Sequence, residues 1–337
     1  MEQLFLTNLS SPPLLFFILG AVATLARTDL EIPTQVAKFL SIYLLVAIGF
    51  KGGVALSEST ASWDTVTGLG IALFMSMLVP LIAFFILKRH MSIVDAAATA
   101  ATYGSVSAVT FVTCTNYLDA NGIVWNGYLV AAMALMESPA IIIGLLLVQF
   151  YRSRASKTIS SEPNALEPVD FDLKALLREA FLNSSVFLIL GSLLIGFISG
   201  PAGKAQITTF VDGLFTGILC LFLLDMGMLA TRRLKDMAGG NGLKTFGPMI
   251  FWAIVLPLIS ATICSFLVIF ADMPEGDALL LVVLAASASY IAVPAAMRLA
   301  LPEANPSVYL GMSLAVTFPF NLLIGIPLYH QVLRFIL

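Results

Sequence analysis

The sequence predicts an all-α polytopic membrane protein, with ten transmembrane helices in two inverted five-helix repeats. Three observations carry this. The chain is 59% hydrophobic and only 11% charged, where soluble domains carry roughly 25% charge. Ten apolar runs of about 20 residues, enough to cross the hydrocarbon core, follow one another along it. A charged linker splits them five and five. An odd number of spans on each side makes the two halves face opposite ways, as in inverted-repeat transporters.

The runs lie at about 13–27, 33–55, 66–88, 95–115, 125–151, 183–201, 207–230, 243–271, 277–298 and 306–336. No basic segment precedes the first, Leu14–Ala26, so it reads as a span and not as a cleaved signal peptide. The linker spans Tyr151–Asn183 and holds Arg152, Arg154, Lys157, Glu162, Glu167 and Asp170. Within it, Asp172–Phe181 suits a short amphipathic helix at the membrane surface. The expected organisation is a first repeat over 1–152, a linker over 153–182 and a second repeat over 183–337. With the N-terminus outside, 14 of the 17 Lys and Arg fall on the inner side, among them Arg27, Lys88, Arg89, Arg232 and Arg233. Lys204 and Arg334 fall outside, and Lys51 lies near the outer end of the second span. The positive-inside rule then puts both termini outside and the linker in the cytoplasm.

Two polar patches interrupt this apolar background at matching places, in the fourth span of each half. The first is Gly104-Ser105-Val106-Ser107-Ala108-Val109-Thr110, and the second is Ser287-Ala288-Ser289-Tyr290-Ile291-Ala292-Val293-Pro294. Gly weakens a helix, Ser and Thr bond their own backbone, and Pro removes a donor. A broken helix exposes N–H groups and an aligned dipole that favour an anion. Ser105, Ser107, Thr110, Ser287 and Ser289 add hydroxyl donors, and Tyr290 can reach an oxyanion or cap the site. Each patch alone also fits close helix packing or a proline kink. The pairing across inverted halves favours a shared site. With no Lys or Arg in either patch, the anion is small and singly charged, or is helped by a cation.

The fifth spans carry a second matched pair, Glu137-Ser138-Pro139 and Pro319-Phe320-Asn321, and the second spans a weaker one at Gly49–Gly53 and Asp225–Gly227. A carboxylate deep in a span is costly and usually functional. Glu137 with nearby hydroxyls suits a sodium ion; a proton carrier or a protonated structural glutamate are its alternatives. Asn321 can orient substrate or supply a carbonyl ligand. Lys51 reads as a snorkelling or locally paired residue.

Basic residues are too few and scattered for a nucleic-acid surface. Cys114, Cys220 and Cys264 lack a CxxC pairing and read as buried hydrophobes. His90 and His330 are too far apart for a metal set, and no nucleophile–base–acid triad or Walker A motif occurs. The chain therefore reads as a gradient-driven transporter and not an enzyme.

Three stretches resemble the sodium-dependent bicarbonate transporter family of cyanobacteria. They are Ala286–Ala292 followed by Pro294–Arg298, then Pro302–Leu310, then Thr317-Phe318-Pro319-Phe320-Asn321 with Gly325-Ile326-Pro327-Leu328-Tyr329. The likeness is close over 275–330 and looser in the first half. It implies a symporter of the cell (inner) membrane that takes up bicarbonate with Na+ for carbon concentration. It also implies core and gate subdomains, with crossed discontinuous helices in the core, a homotrimer, and a PII-like regulatory protein that docks on the cytoplasmic side and blocks transport. Two positions depart from the family pattern. Val109 stands where a serine is usual. Glu137, in Met136-Glu137-Ser138-Pro139-Ala140, replaces an aspartate, moving the carboxylate by about 1.5 Å, one carbon–carbon bond.

The expected substrate site is Gly104, Ser105, Val106, Ser107, Thr110, Ser287, Ala288, Ser289 and Tyr290, and the expected sodium ligands are Ser107, Thr110, Glu137 and Asn321. The rival readings are a sodium- or proton-coupled carrier of another small anion, and a non-transporting membrane receptor.

Overall fold

The computed structural model describes residues 10–58, 63–158, 184–238 and 242–336. The proposed surface helix at Asp172–Phe181 and most of the linker lie outside the described residues. Those described form helices and no strands. They are α1 (Pro12–Leu25), α2 (Thr34–Glu58), α3 (Trp63–Leu87), α4 (Ile93–Gly104), α5 (Ala108–Ala120) and α6 (Tyr128–Thr158). Then follow α7 (Ser184–Thr208), a π-helical turn (Thr209–Gly213), α8 (Phe215–Ala238), α9 (Gly242–Phe270), α10 (Glu275–Ala286) and α11 (Ala292–Ala300). The last, α12, runs Pro306–Ile336 with π-helical turns inside it.

Six helical stretches are long and apolar enough to cross a bilayer. One of them, Phe187–Lys235, is 49 residues long. At 1.5 Å per residue that is more than twice the hydrocarbon thickness. It does not run straight, because Gly200 takes φ 57° ahead of Pro201. A positive φ costs glycine little, and the proline that follows lacks a backbone donor. The fourth and ninth apolar runs are each interrupted, so their pieces fall short of a bilayer. The first has 14 helical residues. The differences from ten uniform runs are thus the breaks in the fourth and ninth, the joining of the sixth and seventh into one bent stretch, and a short first helix.

The helices pair across the two halves of the chain. Helix α1 packs along α8, and α2 along α7. Glycines set the spacing. A Cβ on Gly20 would strike the Leu224 carbonyl, and one on Gly227 the Phe17 carbonyl. Gly49 and Gly53 lie likewise against the α7 backbone at Ile189 and Leu193, and Gly196 against Phe50. Small residues at crossings let membrane helices approach to backbone contact, where dispersion and packing replace the missing hydrophobic drive.

The remaining helices enclose two short ones. Every residue from Ala96 to Gly104 in α4 is buried, and so is Gly276–Ala286 in α10. A helix apolar and buried all round is sheathed by protein. Exposed Leu and Phe lie instead on helices such as α1 (Leu15, Leu19), α7 (Phe187, Leu194) and α9 (Phe251, Phe266).

Two reciprocal clasps tie the short helices down. Asp95, the third residue of α4, accepts a bond from the Asn305 amide at 2.7 Å. Asp277, the third residue of α10, accepts from the Asn126 amide at 2.8 Å and its side-chain amide at 2.9 Å. Each asparagine stands just before the following long helix of the other half, α12 and α6. The acidic residue also sits in the first turn, where the helix dipole favours it.

Filling a backbone contact is the direct test of this packing. Gly227→Val should lower stability by about 1–3 kcal/mol through overpacking. Gly70→Ala, with open space around it, should be neutral or slightly stabilising. Thermal unfolding in detergent reads both.

Candidate functional site

Helix α4 is built from Ala96, Ala97, Ala98, Thr99, Ala100, Ala101 and Thr102, small enough to run through the interior. It ends at Gly104, whose missing side chain admits Pro80 of α3 and Ala140 of α6. Ser105 is extended, and Ser107 caps α5 by accepting from the Thr110 amide at 3.1 Å. In the second half α10 ends at Ala286, Ser287 is extended, and α11 starts at Ala292. Pro294 falls in the first turn of α11. There its missing N–H forfeits no helical bond, so it starts a helix and does not kink one.

The two breaks meet. The Ser107 amide donates to Ser287 Oγ at 2.9 Å, and the Ser289 amide donates to the Thr102 carbonyl at 2.8 Å. Ser287 Oγ donates its own hydrogen bond to the Leu284 carbonyl at 2.9 Å. Thr110 Oγ1 donates to Ser107 Oγ at 2.9 Å. Ser107 Oγ thus accepts twice from Thr110, which leaves its own hydrogen free to donate. The Tyr290 hydroxyl lies beside Ser107, buried and without a hydrogen bond of ordinary geometry. Ser105 Oγ is also buried, with no hydrogen-bond partner among the described residues.

A cavity of about 30 Å³ opens beside the breaks. The two breaks, α5 and α6 supply Val106, Ser107, Ala108, Val109, Val112, Glu137, Ser289, Tyr290 and Ile291; α2 adds Ser41, Leu44 and Leu45, and α8 adds Phe222. Glu137 is the one charged residue in this lining. It is 8% exposed, and no described residue gives it a hydrogen bond or ion pair. The first amides of α5, Ala108 and Val109, begin a helix and lack an acceptor four residues back. The site therefore offers amide and hydroxyl donors for an anion and a carboxylate for a cation.

Of the expected site residues, the structure gathers Val106, Ser107, Glu137, Ser289 and Tyr290 on the cavity wall. Gly104, Ser105, Thr110, Ser287 and Ala288 are buried behind it. Asn321 sits apart from the lining. Its Nδ2 donates to the Ala286 carbonyl at 2.8 Å, and its Oδ1 accepts from Tyr329 at 3.0 Å. It anchors the C-terminal end of α10. Ser41 and Phe222 were not anticipated. A hydroxyl or a ring inside an apolar run carries no mark in the sequence. No group of three or more His, Cys, Asp or Glu gathers as a metal cluster among the described residues.

The model of the Na+-dependent bicarbonate transporter superfamily matches residues 12–334. The chain belongs to that superfamily. No curated protein matches it. Membership in the superfamily makes this a membrane-embedded transporter, with bicarbonate and sodium as the solutes the family implies. The match spans both breaks, Glu137 and the cavity walls, so the superfamily's sequence pattern covers the whole site.

Ser287→Ala removes the acceptor of the buried Ser107 amide. It should destabilise the protein by about 1–3 kcal/mol, the cost of an orphaned buried donor, read as a lowered unfolding midpoint in detergent.

Proposed function

We propose that the protein is a sodium-coupled symporter that imports bicarbonate by alternating access. One observation carries the reading: a cavity that joins the start of α5 and the second break to Glu137, a carboxylate with no partner among the described residues, and has no Lys or Arg in its lining.

The anion is held by backbone amides near Gly104–Ser107 and Ser287–Ser289, with Ser107, Thr110 and Tyr290 orienting its oxygens. Glu137 holds sodium with the hydroxyls of Ser107 and Thr110, and Asn321 assists through the α10 end that it anchors. Electrostatics makes the two solutes interdependent. Two like charges about 4 Å apart repel by about 4 kcal/mol at an effective dielectric of 20. Bicarbonate beside a bare Glu137 pays that penalty; a sodium ion between them reverses its sign. Bicarbonate therefore binds well only with sodium in place, which is what coupling requires.

Movement follows from size. A cavity of about 30 Å³ has room for one or two waters. Bicarbonate and sodium together need more, so the α2–α8 wall has to move relative to the breaks. In this reading α1, α2, α7 and α8 are the gate, and α3–α6 with α9–α12 are the core. The reciprocal pairing of α1 with α8 and α2 with α7 supports two inverted repeats, as do the Asp95–Asn305 and Asp277–Asn126 clasps. Termini outside, linker inside, a homotrimer and a cytoplasmic PII-like regulator complete the proposal, on the basis of charge distribution and family resemblance.

Purified protein in proteoliposomes should take up labelled bicarbonate only with an inward sodium gradient. Uptake indifferent to sodium removes the coupling, and uptake of a different anion alone reassigns the substrate. Glu137→Gln should cut sodium-dependent uptake by about tenfold or more, equivalent to ~1.4 kcal/mol, while Glu137→Asp should retain coupling with an altered sodium affinity.

A further inference from the structure

Three walls of the cavity continue upward by the same interval. Leu44 and Leu45 line it on α2, Val109 on α5 and Phe222 on α8. Seven residues along a helix is about 10 Å and nearly two full turns, so position and face are kept. Seven residues beyond Leu44 is Lys51; seven beyond Val109 is Asn116; seven before Phe222 is Phe215. These three positions also converge. Lys51 Nζ lies 4.8 Å over the Phe215 ring, and Asn116 Nδ2 donates to Thr216 Oγ1 at 3.3 Å. A polar rim therefore stands two turns from the cavity, at the end predicted to face outside.

A carboxylate sits in that rim. Asp212 Oδ1 is 3.2 Å from Lys51 Nζ, and Asp212 Oδ2 is 3.7 Å from Lys204 Nζ. The two lysines grip an O–C–O edge from both sides, and bicarbonate presents the same edge. Two ammonium groups and one carboxylate leave one positive charge, which a singly charged anion balances. Asp212 rides on the π-helical turn Thr209–Gly213, which the Tyr43 hydroxyl ties to α2 by donating to the Phe210 carbonyl. Its side chain is 34% exposed, free to share its lysines with an arriving solute.

We infer that Lys51 and Lys204 form a collecting site for small singly charged oxyanions at the mouth of the route to the cavity, with the Asp212 carboxylate occupying it until one arrives. This rests on the transport reading above. A positive site at a mouth raises the local anion concentration, and salt screens it. It supplies the positive charge that the cavity lining lacks. An anion captured here still has to leave, and competition from Asp212 keeps the site weak enough for that.

Opposite signs are the test. Sodium-dependent bicarbonate uptake is measured in proteoliposomes at fixed sodium and low ionic strength. Lys51→Gln should raise KM about fivefold, Lys204→Ala less, and Asp212→Asn should lower it about twofold, on the scale of a partly exposed ion contact. Lys51→Arg should restore the wild-type value. Choline chloride at about 0.5 M should collapse the differences, since screening then acts within a few ångströms. A merely structural ion pair predicts the reverse pattern: Lys51→Gln and Asp212→Asn impair uptake together, and salt does not merge them. That result, or KM unmoved in all, overturns the inference while leaving the transport reading intact. Wild-type protein without sodium-dependent bicarbonate uptake overturns the transport reading and this one with it. If Lys51→Gln does not fold, Lys204→Ala and Asp212→Asn at partly exposed side chains carry the same comparison.

Discussion

A backbone N–H inside a bilayer has to find a partner in protein, and the rest of this structure depends on how two interrupted helices meet that demand. Breaking one helix frees several amides and carbonyls, each costing about 1–3 kcal/mol if left buried and unpaired. Here the second break takes up part of the first one's deficit. Ser107 donates to Ser287 Oγ, and Ser289 donates to Thr102 O. Ser107 and Ser289 then accept from the first turns of α5 and α11 through their side chains. Hydroxylated residues occupy these positions because each can donate and accept within one bond of the backbone. The amides still unused lie where α5 begins, beside the cavity, where the proposed reading has them hold an anion.

Such breaks survive only if lipid is kept away, and that explains the shape of the core. Helices α4 and α10 carry the breaks at their ends and are buried along nearly their whole lengths. Alanines let α4 pass through a crowded interior, and Gly104 admits Pro80 and Ala140 at the point of interruption. The aspartate clasps fix the far ends, each against the opposite half of the chain. Neither half satisfies its own buried helix end, so neither half is expected to fold to this arrangement alone. The glycine-spaced pairs α1–α8 and α2–α7 lie outside these clasps, and α2 and α8 add Ser41, Leu44, Leu45 and Phe222 to the cavity wall.

The parts of this that were legible in the sequence are those marked by a residue out of place. Glu137 in an apolar run, Gly104 with hydroxyls around it, and Pro294 after Ser287 and Ser289 all stand out against hydropathy. Partnership did not. Asn321 is as conspicuous as Glu137, yet its bond to the Ala286 carbonyl removes it from the cavity wall, and only the fold brings those residues together. Lys51 announces that it must pair or snorkel, but its partner Asp212 belongs to the other half of the chain. Ser41 and Phe222 carry no mark, because a serine or phenylalanine is ordinary in a span. The apolar runs were readable from hydropathy and the interruptions after Gly104 and Ala286 from residue type, while the bend at Gly200 depends on backbone geometry that neither reports. Pro294 shows the same limit: the residue signals a discontinuity, and only the helix start at Ala292 reveals that it lies just inside the new helix.

The two departures from the family pattern gain a physical connection from the cavity. Val109 and Glu137 both line it. A serine in place of Val109 would add a hydroxyl oxygen to the wall, and sodium, a hard cation, takes oxygen ligands. An aspartate in place of Glu137 would hold its carboxylate about 1.5 Å further back. The wall that lacks an oxygen therefore faces a carboxylate with longer reach, and a carboxylate carries two oxygens, either or both of which can ligate. A second oxygen from Glu137 can fill the place that Val109 leaves empty. The cost is entropic, since glutamate has one more rotatable bond to fix than aspartate. Glu137 is nearly buried and has no described partner, so in the proposed symport reading the ion itself fixes that bond. In that reading a carboxylate ordered by its cargo would tie the arrival of sodium to the readiness of the site, and the two departures would be parts of one arrangement instead of two separate losses.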